Sequence, residues 1–303
     1  MKEFAMKKHL LVAISIIISF LFFLLHHTTV SADDRSRGRA HHFNTSPLPV
    51  EKPSVTLSFQ PQEIQTDIPI TLSFSITDKN GEPVRNLSVS HERILHVVII
   101  SKDLSVFAHL HPEDFGPISE SDRESGGYDV RYVFPKAGEY LVAADYAVGN
   151  DHFSDQFIIV AAGDSGMDQI PFDFMKEKYF GPYRVLLQTE PEQVKAGQKT
   201  KLIFTIFRGD KKVKDIEPYL AAPMHLAVVH SDLKKFIHAH GVKPGNKPEE
   251  HGISHIHGMV QDSLGPEIFA YIRFPSSGIY KIFGEMKHEG KIILLEFMIK
   301  AEK

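Results

Sequence analysis

From Val55 onward, apolar and polar residues alternate along the chain. Val55, Leu57 and Phe59 take every second position, and so do Ile68, Ile70, Leu72, Phe74 and Ile76. A period of two places such side chains on one face of an extended strand. Asn80-Gly81 follows as a hairpin-turn signal. The pattern returns at Val185 and Leu187 and again at Leu202, Phe204 and Ile206. Neither region holds an amphipathic helix of useful length.

The chain also repeats itself. The string from His96 to His111 matches that from His225 to His240 at a constant offset of 129. His96, Asp103, Leu104, Phe107, His109 and His111 fall on His225, Asp232, Leu233, Phe236, His238 and His240. Pro61–Asp67 pairs with Pro191–Gly197 upstream, and Phe134–Tyr140 pairs with Phe274–Tyr280 downstream. The downstream offset of 140 marks an 11-residue insertion in the second copy.

Several short strands per copy predict an all-β chain of two tandem immunoglobulin-like or cupredoxin-like β-sandwiches. The first is expected over 53–162 and the second over 182–303, with a linker over 163–181 and a His-rich insertion over 241–266. Ahead of them, Lys2, Lys7 and Lys8 precede an uncharged apolar run of 16 residues, Leu10–Leu25. Val30-Ser31-Ala32 then supplies small residues. This predicts a secretory signal peptide over 1–32. The run is shorter than the roughly 20 residues a spanning helix prefers. An uncleaved membrane anchor is the alternative. Residues 33–52 read as a flexible linker. The protein is therefore expected in the periplasm or outside the cell, touching a membrane only if the signal stays attached.

Composition narrows the chemistry. The 303 residues include 18 His and no Cys, with a net charge of −4. Disulfides, thiolate metal sites, Cys nucleophiles and a blue-copper ligand set are excluded. No basic stripe points to nucleic acid. A metal would have to be held by imidazole, carboxylate, thioether or backbone oxygen.

The histidines supply the candidate site. Residues 96–101 and 106–111 read as two strands around the turn 102–105. His109 and His111 then share a face, roughly 7 Å apart at Cα. If Ser101 pairs with Val106, His96 lies opposite His111 and Val98 opposite His109. A register two residues tighter sets His96 opposite His109 instead. Either gathers three imidazoles on one face, whereas a one-residue slip separates them. Val98, Ile100 and Phe107 share that face nearer the turn, which suggests a metal site at one end of a sandwich core. The same reasoning applies to His225, His238 and His240. Three imidazoles with an open position suit copper or zinc.

Other residues are weaker candidates. Met224 is next to His225 and reaches the site only through a bulge. His251, His255, His257 and Met259 lie in the insertion, as a cover for the hairpin site, a second site or a solvated loop. Met286 and His288 are further candidates. Asp103 and Asp232 read as turn residues accepting backbone N–H groups two positions on.

Asp-Leu-x-x-Phe-x-His-x-His resembles bacterial secreted YtkA-like or heavy-metal-binding envelope proteins, with immunoglobulin-like folds in the style of CopC and cupredoxins. The second copy carries Pro218-Tyr219-Leu220-Ala221-Ala222, His225, Asp232-Leu233, His238 and His240, with Gly241 where the family pattern has Pro. The first copy has His111-Pro112 but lacks the Pro-Tyr-Leu stretch. The resemblance implies an exported protein that captures, buffers or delivers copper, with zinc as the alternative metal. It also implies an envelope metal transporter or acceptor protein as partner. Two other classes stay open: a metal-free tandem sandwich for adhesion or scaffolding, and a zinc enzyme with three histidine ligands. No Ser–His–Asp or paired-carboxylate arrangement favours catalysis.

Overall fold

A computed structural model describes residues 51–164, 166–167, 171–246 and 264–303. The signal segment, nearly all of the linker after it, and His251, His255, His257 and Met259 lie outside the described residues.

The first repeat contains β1 (Ser54–Gln60), β2 (Pro69–Thr77), β3 (Leu87–Ser88), β4 (Leu95–Ser101), β5 (Phe107–Leu110), β6 (Gly127–Val133), β7 (Gly138–Val148) and β8 (Asp151–Ala161). One short helix, α1 (Glu120–Ser125), precedes β6. The second repeat contains β9 (Glu177–Phe180), β10 (Tyr183–Glu190), β11 (Lys199–Arg208), β12 (Lys211–Lys212), β13 (His225–His230), β14 (Phe236–His240), β15 (Glu267–Arg273), β16 (Gly278–His288) and β17 (Lys291–Ala301). All pairings between these strands are antiparallel.

Each repeat is a sandwich of two sheets. In the first, β1-β2-β6 faces a sheet in which β7 pairs with β4, β3 and β8, and β4 pairs with β5. In the second, β10-β11-β15 corresponds to β1-β2-β6, and β14-β13-β16-β17 corresponds to β5-β4-β7-β8. The chain is therefore a tandem of immunoglobulin-like β-sandwiches, as the repeated strand pattern predicts. The region expected to be a plain linker contributes β9, which pairs with β10 at Tyr183↔Phe180. Its alternating Lys178 and Phe180 are half-buried, enough of a pattern for a short edge strand.

Alternation fills the two sandwich cores. Leu72, Phe74, Ile76, Val97, Ile99, Val142 and Ala144 meet in the first. Leu202, Phe204, Ile206, Leu226, Val228, Ile282 and Phe297 meet in the second. Tyr140 donates a 2.7 Å hydrogen bond to Lys136 O in the first repeat, and Tyr280 donates a 2.9 Å bond to Ser276 O in the second. These matching corners are why Phe-Pro-x-x-Gly-x-Tyr recurs.

Strand β4 is buried at every position. Leu95, Val97 and Ile99 face the first core, while Val98 and Ile100 belong to a third cluster. That cluster joins Val98, Ile100, Leu104, Leu141 and Ala143 to Ala227, Val229, Leu233, Phe236, Phe283 and Met298 of the other repeat. The Phe107 and Phe283 rings stack across it with centroids 4.6 Å apart. A sheet covered on both faces explains the unbroken apolar run Val97–Ile100, which strict alternation would have interrupted.

Candidate metal centre

The turns set the register on which the site depends. Asp103 accepts hydrogen bonds from Ser105 N at 3.1 Å and Ser101 Oγ at 2.5 Å. Asp232 accepts one from Lys234 N at 2.8 Å. Both are turn residues, as their position suggests. Leu104 and Leu233 then adopt positive φ, at 61° and 63°. Ser101 N donates to Val106 O at 3.1 Å, and Val98 lies opposite His109. In the second repeat His225 lies opposite His240, and Ala227 opposite His238. This is the first of the two registers considered from sequence, and it brings each trio of imidazoles together.

The face they occupy is not the expected one. The histidines do not sit at an end of either sandwich core. They continue the face of Val98, Ile100, Ala227 and Val229, so they point out of their own sandwich and toward the other. Period two identifies a face but not its cover, and here the cover is the second copy. His96, His111 and His225 are buried, at 3%, 1% and 2% exposure.

In the first set, His96 Nδ1, His109 Nε2 and His111 Nε2 form a triangle with sides of 3.1, 3.1 and 3.2 Å. Two nitrogens each about 2.0–2.1 Å from one tetrahedral zinc stand roughly 3.3 Å apart. The opposite ring nitrogens are all engaged. His96 Nε2–H donates to Ser90 O at 3.0 Å. His109 Nδ1 lies 2.7 Å from Glu285 Oε2, and His111 Nδ1 lies 3.1 Å from Asp114 Oδ2.

These contacts decide where the lone pairs are. A carbonyl oxygen only accepts, so neutral His96 carries its proton on Nε2, facing Ser90 O, and leaves Nδ1 bare. Asp114, held below its ordinary value by its bond to His111 despite partial burial, accepts from His111 and leaves that Nε2 bare. The two bare nitrogens face each other at 3.2 Å with no proton between them. Burial, with the neighbouring imidazoles, pushes His96 and His109 well below their ordinary value, which disfavours supplying that proton. A cation in the triangle would satisfy all three nitrogens.

The second set presents the same atoms. His225 Nδ1, His238 Nε2 and His240 Nε2 are buried without a hydrogen-bond partner among the described residues. His225 Nε2–H donates to Leu220 O at 3.0 Å, and His238 Nδ1 lies 3.0 Å from Asp145 Oδ2. Ring centroids are 4.6, 4.7 and 5.7 Å apart, against 4.8, 4.5 and 5.3 Å in the first set. Donor nitrogens of His96, His109, His225 and His238 all come within 4.8 Å of one another.

Four participants were not singled out from sequence. Asp145 and Glu285 lie five residues beyond the aligned Tyr140 and Tyr280, and extending that alignment would have found them. Asp114 belongs to the turn after His111. His91 comes from the loop before β4, stacks on His240 at 3.5 Å between centroids, and can group with His225 and His240. Its counterpart in the repeat is Leu220, so the repeat gave no signal for it. Met224 is fully buried in the second sandwich core, the side opposite His225, so no bulge turns its thioether to the site. Met286 shares that core, and His288 is engaged by the Tyr183 hydroxyl at 2.7 Å and Asp215 at 3.1 Å.

Fold and site together define a tandem β-sandwich protein with a histidine-lined interface between its repeats. The chain belongs to the DUF8832 family, described as a domain of unknown function, which matches residues 50–163 and again 178–303. No curated protein matches it. Similar solved structures include the Escherichia coli adhesin FdeC, at 10% identity, covering 84% of this chain and 66% of that one, with a TM-score of 0.24. A putative membrane anchored protein from Corynebacterium diphtheriae matches at 11% identity, over 84% and 60%, with a TM-score of 0.24. Trypsin-activated alpha-2-macroglobulin from Escherichia coli matches at 12% identity, over 83% and 18%, with a TM-score of 0.26. The chain thus spans less than two thirds of the length of each of these structures, and none of these likenesses bears on the site.

Proposed function

We propose that this is an exported metal-binding protein that captures a transition-metal ion between its two sandwiches, copper first and zinc second. The observation that carries the reading is the triangle of His96, His109 and His111 nitrogens, 3.1–3.2 Å on a side, with the lone pairs of His96 Nδ1 and His111 Nε2 facing inward. Imidazole donors suit both metals, and divalent copper binds such sites more tightly than zinc. The engaged outer nitrogens match the way metal-binding histidines are held by carboxylates and carbonyls. Resemblance to heavy-metal-binding envelope proteins supports the same reading, and the signal-like N-terminus supports export to the periplasm or cell exterior. An envelope transporter or acceptor would then receive the ion.

Calorimetric titration of the intact chain with copper(II) and with zinc tests it. Tight binding that His109→Ala/His111→Ala weakens sharply is expected. Absence of binding to the folded wild-type chain overturns the proposal. A metal-free scaffold or adhesion protein would then be the better account, and one observation already favours it: the apolar cluster around Phe107 and Phe283 joins the sandwiches without a metal.

A further inference from the structure

We infer that the two histidine sets form one binuclear centre, which holds two copper ions joined by a single small bridging ligand of hydroxide size. The inference rests on the metal-binding reading and deepens it.

The first support is congruence. Each set offers one Nδ1 and two Nε2 atoms, from His96, His109 and His111 and from His225, His238 and His240. Each set is therefore a complete three-nitrogen site with an open position, the pattern that leaves room for an exogenous ligand.

The second support is proximity. Centroids of His96 and His238 are 5.1 Å apart, and those of His109 and His238 are 5.5 Å apart, no farther than rings within one set. Two ions bound here would be neighbours, because donor nitrogens of both sets lie within 4.8 Å of one another.

The third support is what a single ion would leave behind. One ion held by His96, His109, His225 and His238 would strand the bare nitrogens of His111 and His240 in a buried place. A buried acceptor left without a partner is destabilising. Two ions satisfy all six.

Acidic groups stand beside both sets: Asp114, Asp145 and Glu285 all lie against liganding rings.

The test is to load the intact wild-type chain with copper(II), count ions per chain by elemental analysis, and integrate the electron paramagnetic resonance signal. Two ions per chain with most of the signal missing are expected, because a hydroxide bridge pairs the two spins. His240→Ala should lose one ion and recover the full signal of the other, with circular dichroism confirming the fold. One ion with a full signal overturns the binuclear centre while leaving metal binding intact, and so do two ions with two full signals. No bound copper overturns both. The wild-type result decides the matter even if the variant fails to fold.

Discussion

His109 of the first sandwich is held by Glu285 of the second, with Nδ1 2.7 Å from Oε2. A matching contact runs the other way, with His238 Nδ1 of the second sandwich 3.0 Å from Asp145 Oδ2 of the first, close but outside hydrogen-bond geometry. Each acid sits on the strand beside its own repeat's first histidine, at His225↔Glu285 and His96↔Asp145, yet serves the other repeat's ring. Each copy thus places its acid against a ring of the other copy.

That placement predicts an effect in trans. Glu285→Ala removes the acceptor that holds His109 with its Nε2 turned inward. On the metal-binding proposal, affinity at the first set should fall about 10–100-fold, although the substitution lies in the second sandwich. Asp145→Ala should do the same to the second set. Competition titrations against a chelator, run on both variants, would show it. An unchanged affinity in both would mean that these acids do not orient the ligands.

The apolar half of the interface should hold the sandwiches together without any bound ion. Phe283 is 1% exposed and stacks on Phe107. Phe283→Ala should cost about 3–5 kcal/mol. It should also split one urea transition, followed by tyrosine fluorescence and circular dichroism, into two. Coincident transitions in the variant would show that the sandwiches do not depend on this contact.

Acid should destabilise the metal-free protein. His96, His109, His225 and His240 are pushed well below their ordinary value, chiefly by burial, and His91 is pushed down to about 4 for the same reason. Below roughly pH 6.5 the unfolded chain takes up protons that the folded chain refuses, so stability falls as pH falls. Each such histidine adds up to about 1.4 kcal/mol per pH unit. Glu285, raised to about 7 by burial, works the other way between its ordinary 4.5 and 7. Five histidines outweigh one acid, so urea midpoints should drop from pH 7 to pH 5. A flat profile would mean that the imidazoles are protonated in the folded state.

The two tyrosine corners should respond alike. Tyr140→Phe and Tyr280→Phe each remove a hydroxyl that bonds a backbone carbonyl in the turn before the strand. Each should cost about 1 kcal/mol by denaturation, because the carbonyl loses a partner in a partly buried place. A cost in one repeat alone would mean that the corners, though alike in geometry, are not alike in energy.

Residue order was enough to settle the main strands of both sandwiches, though not the edge strand β9, and with them the repeat and the membership of each imidazole trio. Side chains in a strand alternate with a period of two, so His96, His109 and His111 could share a face only in registers that the Asp103 turn allows. The same alternation puts Val98, Ile100 and Phe107 on that face. What covers the face was settled only by packing in three dimensions. Alternation is a local property of each strand, while the cover belongs to whichever surface is complementary, and here that surface is the second copy of the same pattern. For this reason the apolar half became a shared third core rather than an end of the first. The same packing carried Glu285 and Asp145 across the interface, and brought His91, which has no counterpart histidine in the repeat, against His240.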